Sequence, residues 1–443
     1  MSGLEILRDG TVSKPCARKP CGRSNRGFPR EGAALRSPSS ILTQVNASER
    51  SAALQRPTFR LEQSAPNFLN HGALGATAGL YLLLAPGIAA GAIDSYILAP
   101  INFLFRPKLR ADDLKLGRRL GKSGFGEVFE ATLVSSSKPR KVIVKKAFEF
   151  GEAEVWMNER MQRACPKRVP GFIDAFQDPK NDALWLVWNF EGEGTLADAM
   201  RDRQFPRNLE RNLFGKSLDD LDGPERQAEV IKSILAQTLA ALRDMHATGI
   251  VHRDVKPENI LMPSESDGKL KFIDFGAAAD LRIGINYLPK EFLLDPRYAP
   301  PEKYIMSTST PTAPPAPVAA MLSPILWQMN KPDRFDMYSV GIMLIQMCFP
   351  NLRRDNQLAA FNRQLERVDY NIIAWRDRIA SKRSEYATGA AILSLDGGRG
   401  WDLLRCLIDP QSSKRVSASA AASHPFVTGR GLPSCHLCED DGA

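Results

Sequence analysis

The sequence predicts an α+β chain of two lobes, a small β-rich lobe followed by a larger helical one, with a leader and one apolar span in front. Three observations carry this. The string His252-Arg253-Asp254-Val255-Lys256-Pro257-Glu258-Asn259-Ile260 is followed, fifteen residues beyond Asn259, by Asp274-Phe275-Gly276. Upstream, the glycine-rich stretch Leu120-Gly121-Lys122-Ser123-Gly124-Phe125-Gly126-Glu127-Val128 precedes the apolar run Val142-Ile143-Val144-Lys145. Ahead of both stand 22 consecutive uncharged, mostly apolar residues at 72–93.

The first string resembles the catalytic loop of protein kinases, and the triplet resembles their magnesium-binding element. A bilobal kinase fold using ATP and Mg2+ is what that resemblance implies. Phosphoryl transfer needs a carboxylate to orient the attacking hydroxyl and oxygen ligands to hold magnesium against the phosphates. Asp254 suits the first task; Asn259 and Asp274 suit the second. Lys256, two residues after Asp254, is common in serine/threonine kinases, where its charge can neutralise the transferring phosphate.

The chain has 443 residues, 43% hydrophobic and 25% charged, an ordinary globular composition with room for one kinase domain and little more. Residues 1–67 carry eleven Lys or Arg against five Asp or Glu, so +6 of the net +9 lies in a leader. The basic balance is therefore no sign of a nucleic-acid partner. Rich in Arg, Ser, Ala and Pro and poor in acids, residues 1–67 read as a disordered leader with transit-peptide composition.

At about 1.5 Å per residue, a helix over 72–93 would reach roughly 33 Å, enough to cross a ~30 Å hydrocarbon layer. Gly75/Gly79 and Gly87/Gly91 have the spacing that lets membrane helices approach closely. Upstream flanking charges are Arg56 and Arg60, against Arg106, Lys108, Arg110, Lys115, Arg118 and Arg119 downstream. The basic side stays where synthesis occurs, so the kinase part is expected there. Residues 96–105 are apolar and aromatic, as in a segment lying along the membrane surface, so 68–106 is read as span plus interfacial segment. Seven scattered cysteines make no disulfide framework. Cys435-His436-Leu437-Cys438, in a tail at 431–443, is half of a zinc site at most.

The kinase part is expected over 110–430, its first strand near Leu114. Gly121, Gly124 and Gly126 would let backbone approach the ATP phosphates and Val128 would cover the adenine. Ser123 stands where the motif has its second glycine. Alternation places Lys145 and Lys146 on opposite faces of their strand without choosing between them; the motif aligns Lys145 with the phosphates. Its carboxylate partner on the next helix is expected to be Glu159, with Glu154 the alternative. Arg163, four residues past Glu159, stands where an apolar residue is usual. Leu184-Trp185-Leu186-Val187-Trp188 reads as a buried strand with Trp188 guarding the back pocket. It leads to a hinge whose backbone at Asn189 and Glu191 would meet the adenine edge.

Beyond the catalytic loop, Tyr298-Ala299-Pro300-Pro301-Glu302 resembles the end of an activation segment, and Arg415 is the expected structural partner of Glu302. From Asp274 to Glu302 there is no Ser or Thr, so only Tyr287 and Tyr298 offer hydroxyls. Asp280, Glu291 or Asp295 is expected to neutralise Arg253 in place of a phosphate. Asp336-Met337-Tyr338-Ser339-Val340-Gly341 opens the large helix of the second lobe. The 34-residue connection from Glu302 to Asp336 includes Ser307-Thr308-Ser309-Thr310 and a Pro/Ala stretch, and reads equally as a tolerated surface insertion or a docking loop.

Longer strings resemble one family, the thylakoid state-transition kinases of plants and algae. They are Val155-Trp156-Met157-Asn158-Glu159-Arg160, Gly276-Ala277-Ala278-Ala279-Asp280-Leu281-Arg282, Gly284-Ile285-Asn286-Tyr287 through Pro296-Arg297-Tyr298, and Leu326-Trp327-Gln328-Met329, with Phe105-Arg106-Pro107 after the span. The resemblance covers about residues 68–428. It implies a chloroplast enzyme in the thylakoid membrane, its kinase domain in the stroma, phosphorylating threonines of chlorophyll-binding antenna proteins. It also implies control through plastoquinone and the cytochrome complex, with a lumenal cysteine pair. Cys16 and Cys21 have the pair's spacing, but stand in the basic leader. Two other readings accompany this one: a kinase of photosystem core subunits, and a membrane-tethered pseudokinase scaffold.

Overall fold

The computed structural model describes Gly79 and residues 87–429, apart from 124–125, 135–137, 148–150, 179–182, 193, 263–267, 285–294 and 308–313. The leader, Cys16 and Cys21, nearly all of the 72–93 span, Gly124, Tyr287, Glu291 and the Cys435–Cys438 string lie outside the described residues. Helix α1, Ile88–Phe105, comes first and is π-helical over Asp94–Leu98. Pro100 explains the widened turn: it has no N–H to donate, and its ring would clash with the carbonyl of an ordinary preceding turn.

The small lobe is one antiparallel sheet of β1 Leu114–Ser123, β2 Gly126–Leu133, β3 Arg140–Ala147, β4 Phe172–Gln177 and β5 Leu184–Asn189. Its strand order is β1-β2-β3-β5-β4. On β3, Val142 and Val144 are buried with Ile173, Trp185 and Val187 on the face away from the cleft. Lys146 shares their face and lies over the Trp185 ring at 4.9 Å. Lys145, on the other face, points at the cleft. Helix α2, Gly151–Ala164, crosses between β3 and β4 in the chain.

The large lobe begins with α3 Leu196–Arg201, α4 Glu210–Phe214 and α5 Gly223–His246. Two short two-stranded sheets come next, pairing β6 Ile250–Val251 with β9 Ala279–Asp280, and β7 Ile260–Leu261 with β8 Lys271–Phe272. They hold the catalytic loop and the Asp274 triplet side by side. Helix α6, Ala316–Asn330, lies within the 34-residue connection, so that segment is not simply loop. Its Trp327 is buried with Val251, Leu281, Ile305, Met306 and Phe335.

Helix α7, Arg334–Cys348, is the axis of this lobe, with Phe335 to Cys348 all buried. A helix apolar on every side is stable only when enclosed. Gly341 permits the closest approach: a Cβ there would come within 2.8 Å of Ile408 and 3.0 Å of Leu407. Helix α8, Asp355–Glu366, packs on α9, Ile372–Arg378, which packs on α10, Ala387–Leu407; α10 in turn packs on α7, while α11, Ala418–Ala422, and α12, Pro425–Thr428, pack on α5. Phe349, Trp375, Tyr386 and Trp401 form an aromatic cluster among them, with Phe349 edge-on to Trp375 at 5.8 Å. Each such side chain, fully buried, contributes roughly 1.5–3 kcal/mol of hydrophobic stabilisation.

Candidate active site

Between the lobes, the Lys145 ammonium lies 2.8 Å from Glu154 Oε1 and 3.0 Å from Asp274 Oδ1. Burial disfavours its charge, but the two carboxylates outweigh that and raise its pKa above the ordinary lysine value. Glu154, not Glu159, is thus the partner on α2. Five residues apart at 100° per residue, the two carboxylates lie about 140° apart around the helix, so only one can face Lys145. Glu159 faces outward and pairs with Arg106. The usable signal was the apolar spacing: Met157 and Met161, three and seven residues past Glu154, are fully buried, whereas Arg163 lies on the far side of α2 and meets Asp94. Burial pushes the Glu154 carboxyl up to about 7, against the opposing pull of Lys145.

Asp254 is held from one side. Its Oδ2 accepts from Lys256 Nζ at 2.7 Å and from Asn259 Nδ2 at 2.9 Å. The same amide nitrogen donates to the Asp254 carbonyl at 2.8 Å. Among the described residues no donor reaches the other oxygen, Oδ1, which is buried. An orphaned carboxylate oxygen is costly, and is what a base awaiting a substrate hydroxyl requires. Burial lowers the Lys256 pKa, but Asp254 reverses this and the net shift is upward.

The loop is anchored by Asp336 of α7, which the sequence reading used only to place a helix. Its carboxylate accepts the backbone N–H groups of His252 at 2.9 Å and Arg253 at 2.8 Å, and lies 2.8 Å from His246 Nε2. A lone carboxylate in a largely apolar helix was the available signal. Arg253 adopts a left-handed backbone (φ 66°), as does Asp274 (φ 62°). Such strain persists only where surrounding contacts enforce it, and both residues flank the chemistry. His252 lies between the Phe272 and Phe275 rings, at 5.2 and 5.1 Å and tilted to both, and burial lowers its pKa.

Asn259 and Asp274 fit a magnesium ion. The Ile273 N–H donates to the Asn259 carbonyl at 3.0 Å, which fixes the spacing of the two side chains. The Asp274 carboxylate is 39% exposed. Burial raises its pKa, but Lys145 overrides this and the group stays below its ordinary value. Two hard oxygen ligands suffice, because magnesium takes its others from phosphates and water. Among the described residues no cluster of three or more His, Cys, Asp or Glu forms a closed metal cage.

At the roof of the cleft, Gly121 stands across the β1–β2 hairpin from Val128, and Val128 pairs in register with Lys145. A Cβ on Gly126 would collide with the Lys146 carbonyl, while Gly121 has open space around it. Trp188 Nε1 donates to Asn158 Oδ1 of α2 at 2.8 Å, tying the back of the pocket to that helix. The Asn189 N–H donates to the Gly171 carbonyl at 2.8 Å, and Glu191 accepts the Gly171 N–H at 2.7 Å and pairs with Lys271. These contacts stiffen the hinge, and because the Asn189 N–H is already committed to Gly171, the adenine contact expected of that donor is not available.

Of the three carboxylates expected to neutralise Arg253, Asp280 lies 2.8 Å from Arg160, Asp295 lies 2.6 Å from Arg297 and 4.0 Å from Lys256, and Glu291 lies outside the described residues. Tyr298 donates its hydroxyl to Gln346 at 2.8 Å and is buried, which removes it as an accessible phosphate acceptor. Glu302 and Arg415 pair as expected, at 2.7 and 3.1 Å.

Residues 114–318 match the protein kinase domain family. The chloroplastic serine/threonine-protein kinase STN7 of Arabidopsis thaliana is 50% identical over 366 residues, 81% of this chain and 65% of that protein. The chain thus spans about two thirds of the length of STN7. The chloroplastic serine/threonine-protein kinase STN8 of the same plant is 44% identical over 388 residues, 78% of this chain and 77% of that one. A crystal structure of a Stt7 homolog from Micromonas algae soaked with ATP shares the fold with TM-score 0.64 and 28% identity, covering 74% of this chain and 96% of that one. A cleft with Lys145, Asp254, Asn259 and Asp274 in place, carried on a chain this similar, makes the protein a serine/threonine protein kinase of the chloroplast family that includes STN7 and STN8.

Proposed function

We propose that the chain transfers the ATP γ-phosphoryl group to threonine or serine hydroxyls of chlorophyll-binding antenna proteins, working at the stromal face of the thylakoid membrane. The observation that carries the catalytic part is the one-sided Asp254 carboxylate: Oδ2 is fixed by Lys256 and Asn259, and Oδ1 is left to orient the incoming hydroxyl. Lys145, braced by Glu154, positions the phosphates, and Lys256 offsets charge on the transferring group. Magnesium held by Asn259 and Asp274 would supply charge neutralisation between the phosphate oxygens. An intact Lys145, Asp254, Asn259 and Asp274 argues for catalysis over a scaffold role.

Membrane attachment is supported by the apolar 72–93 stretch and by the helix that continues from it. Gly91 is buried against Arg282 and Asp94 against Arg160 and Arg163, so a crossing segment must end before Gly91. Helices α1 and α6 pack together, and each exposes apolar side chains, among them Tyr96, Leu104 and Phe105 on α1 and Met321, Ile325 and Met329 on α6. Arg106, Lys108 and Arg110 directly after α1 favour the stromal side, and the leader composition agrees with the chloroplastic relatives. Incubating purified protein with labelled ATP and isolated thylakoids tests the substrate. Phosphothreonine on antenna bands supports the proposal; label confined to photosystem core subunits replaces it with the second reading.

A further inference from the structure

Helix α1 grips α2 at two places. Asp94, 6% exposed, lies 2.7 Å from Arg163 Nε, 3.1 Å from Arg163 Nη2 and 3.2 Å from Arg160 Nη1. At the other end, Arg106 pairs with Glu159 of α2 and lies 2.6 Å from Asp174 of β4. Asp174 also accepts the Leu109 N–H at 2.7 Å, which pins the exit of the segment. All these residues belong to one compact unit.

Arg160 makes the arrangement more than a surface clasp. Its side chain is 1% exposed, its Nε donates to Asp280 at 2.8 Å, and its Nη2 donates to the Thr248 carbonyl at 2.7 Å. Asp280 lies on β9, six residues beyond Asp274, and is fully buried. A carboxylate–guanidinium–carboxylate chain therefore runs from α1 through α2 to the strand beyond the magnesium triplet. Buried charges are tolerable only when paired, and removing one partner strands the others. Gly91 reinforces the fit, since a Cβ there would stand 2.8 Å from Arg282 Cδ. The face of α2 opposite these contacts carries Glu154, which meets Lys145.

We infer that Asp94 is a positioning residue: by bracing Arg160 and Arg163 from outside, it holds α2 where Glu154 reaches Lys145, so phosphoryl transfer depends on α1 being seated. This rests on the reading of Lys145 and Glu154 as the phosphate-positioning pair. Without the brace, the buried Arg163 guanidinium loses its carboxylate and Arg160 keeps only Asp280, and rotating α2 outward relieves Arg163 at the expense of the Lys145 contact.

The test uses the full chain, dephosphorylated casein as acceptor, and kinetics normalised to folded protein, with melting temperature recorded separately. Asp94→Asn should raise KM for ATP and lower kcat/KM at least about tenfold, and Asp94→Glu should recover most of it. Arg163→Gln should shift KM and kcat/KM in the same direction, and the double variant should be little worse than Asp94→Asn, because Asp94→Asn already removes the contact to Arg163. In a Glu154→Gln background Asp94→Asn should add little. A lower melting temperature with KM and kcat unchanged per folded molecule would overturn the inference, leaving Asp94 purely structural. Full activity in Glu154→Gln alone would instead overturn the reading of the Lys145 pair.

Discussion

At the scale of single residues, the two oxygens of Asp254 have different surroundings, and the proposed chemistry rests on that difference. Oδ2 is saturated by Lys256 and Asn259, whereas Oδ1 is buried with no donor among the described residues. Asp254→Asn should lower turnover by about 10²–10⁴-fold, with nucleotide affinity retained. Asp274→Asn should weaken magnesium–nucleotide binding as well; titration calorimetry beside steady-state kinetics separates the two. Glu154 supplies a pH dependence. Burial lifts its pKa from 4.5 to about 7, so the folded state binds this proton more tightly than the unfolded chain. Its contribution to stability is complete below 4.5 and is lost as pH rises through about 7. Activity runs the other way, because the proton replaces the ion pair to Lys145 with a neutral hydrogen bond. Thus kcat/KM should fall as pH drops below about 7, and this inflection should vanish in Glu154→Gln.

At the scale of elements, motifs were legible wherever chemistry demands a residue type at a fixed spacing. Asp254, Asn259 and Asp274 could be read directly, and β3 announced itself through Val142 and Val144. Choosing between Glu154 and Glu159 needed the rotation of α2, which depends on tertiary neighbours: Met157 and Met161 point into the core and turn Glu154 to the cleft. The docking of α1 was equally hidden. Its apolar sequence suits a membrane or a protein surface, and only Asp94 facing Arg160 and Arg163 shows that one face meets protein. The connection before α7 reads as an inserted loop because of its Pro/Ala stretch at 311–320, yet Trp327 gives α6 an apolar site to fill. The tie between this connection and the end of the lobe is Glu302 to Arg415, whose guanidinium is wholly buried. Glu302→Gln strands that charge and should cost about 3 kcal/mol or more in urea denaturation.

For the whole molecule, a crossing segment within 72–93 would lead into α1, braced on the small lobe, and from there to the cleft. Alkaline carbonate washing should leave the full chain with thylakoid membranes and release a variant lacking 72–87. Protease added to intact thylakoids should digest the kinase domain; its protection would reverse the orientation argued from Arg106, Lys108 and Arg110. The activation segment bears on control at the same scale. With Tyr298 buried on Gln346 and Asp295 already near Lys256 and Arg297, protein treated with phosphatase should remain active. Activity appearing only after phosphorylation of Tyr287, or of residues 307–310, would move the switch there.

The most direct test of the central claim is quantitative phosphopeptide mapping of thylakoids from a line lacking this protein, complemented with either the natural chain or Asp254→Asn. The natural chain should restore phosphothreonine on antenna proteins and the variant, present at equal abundance, should not. Restoration by Asp254→Asn would contradict the account and leave the chain a membrane-bound scaffold for another kinase.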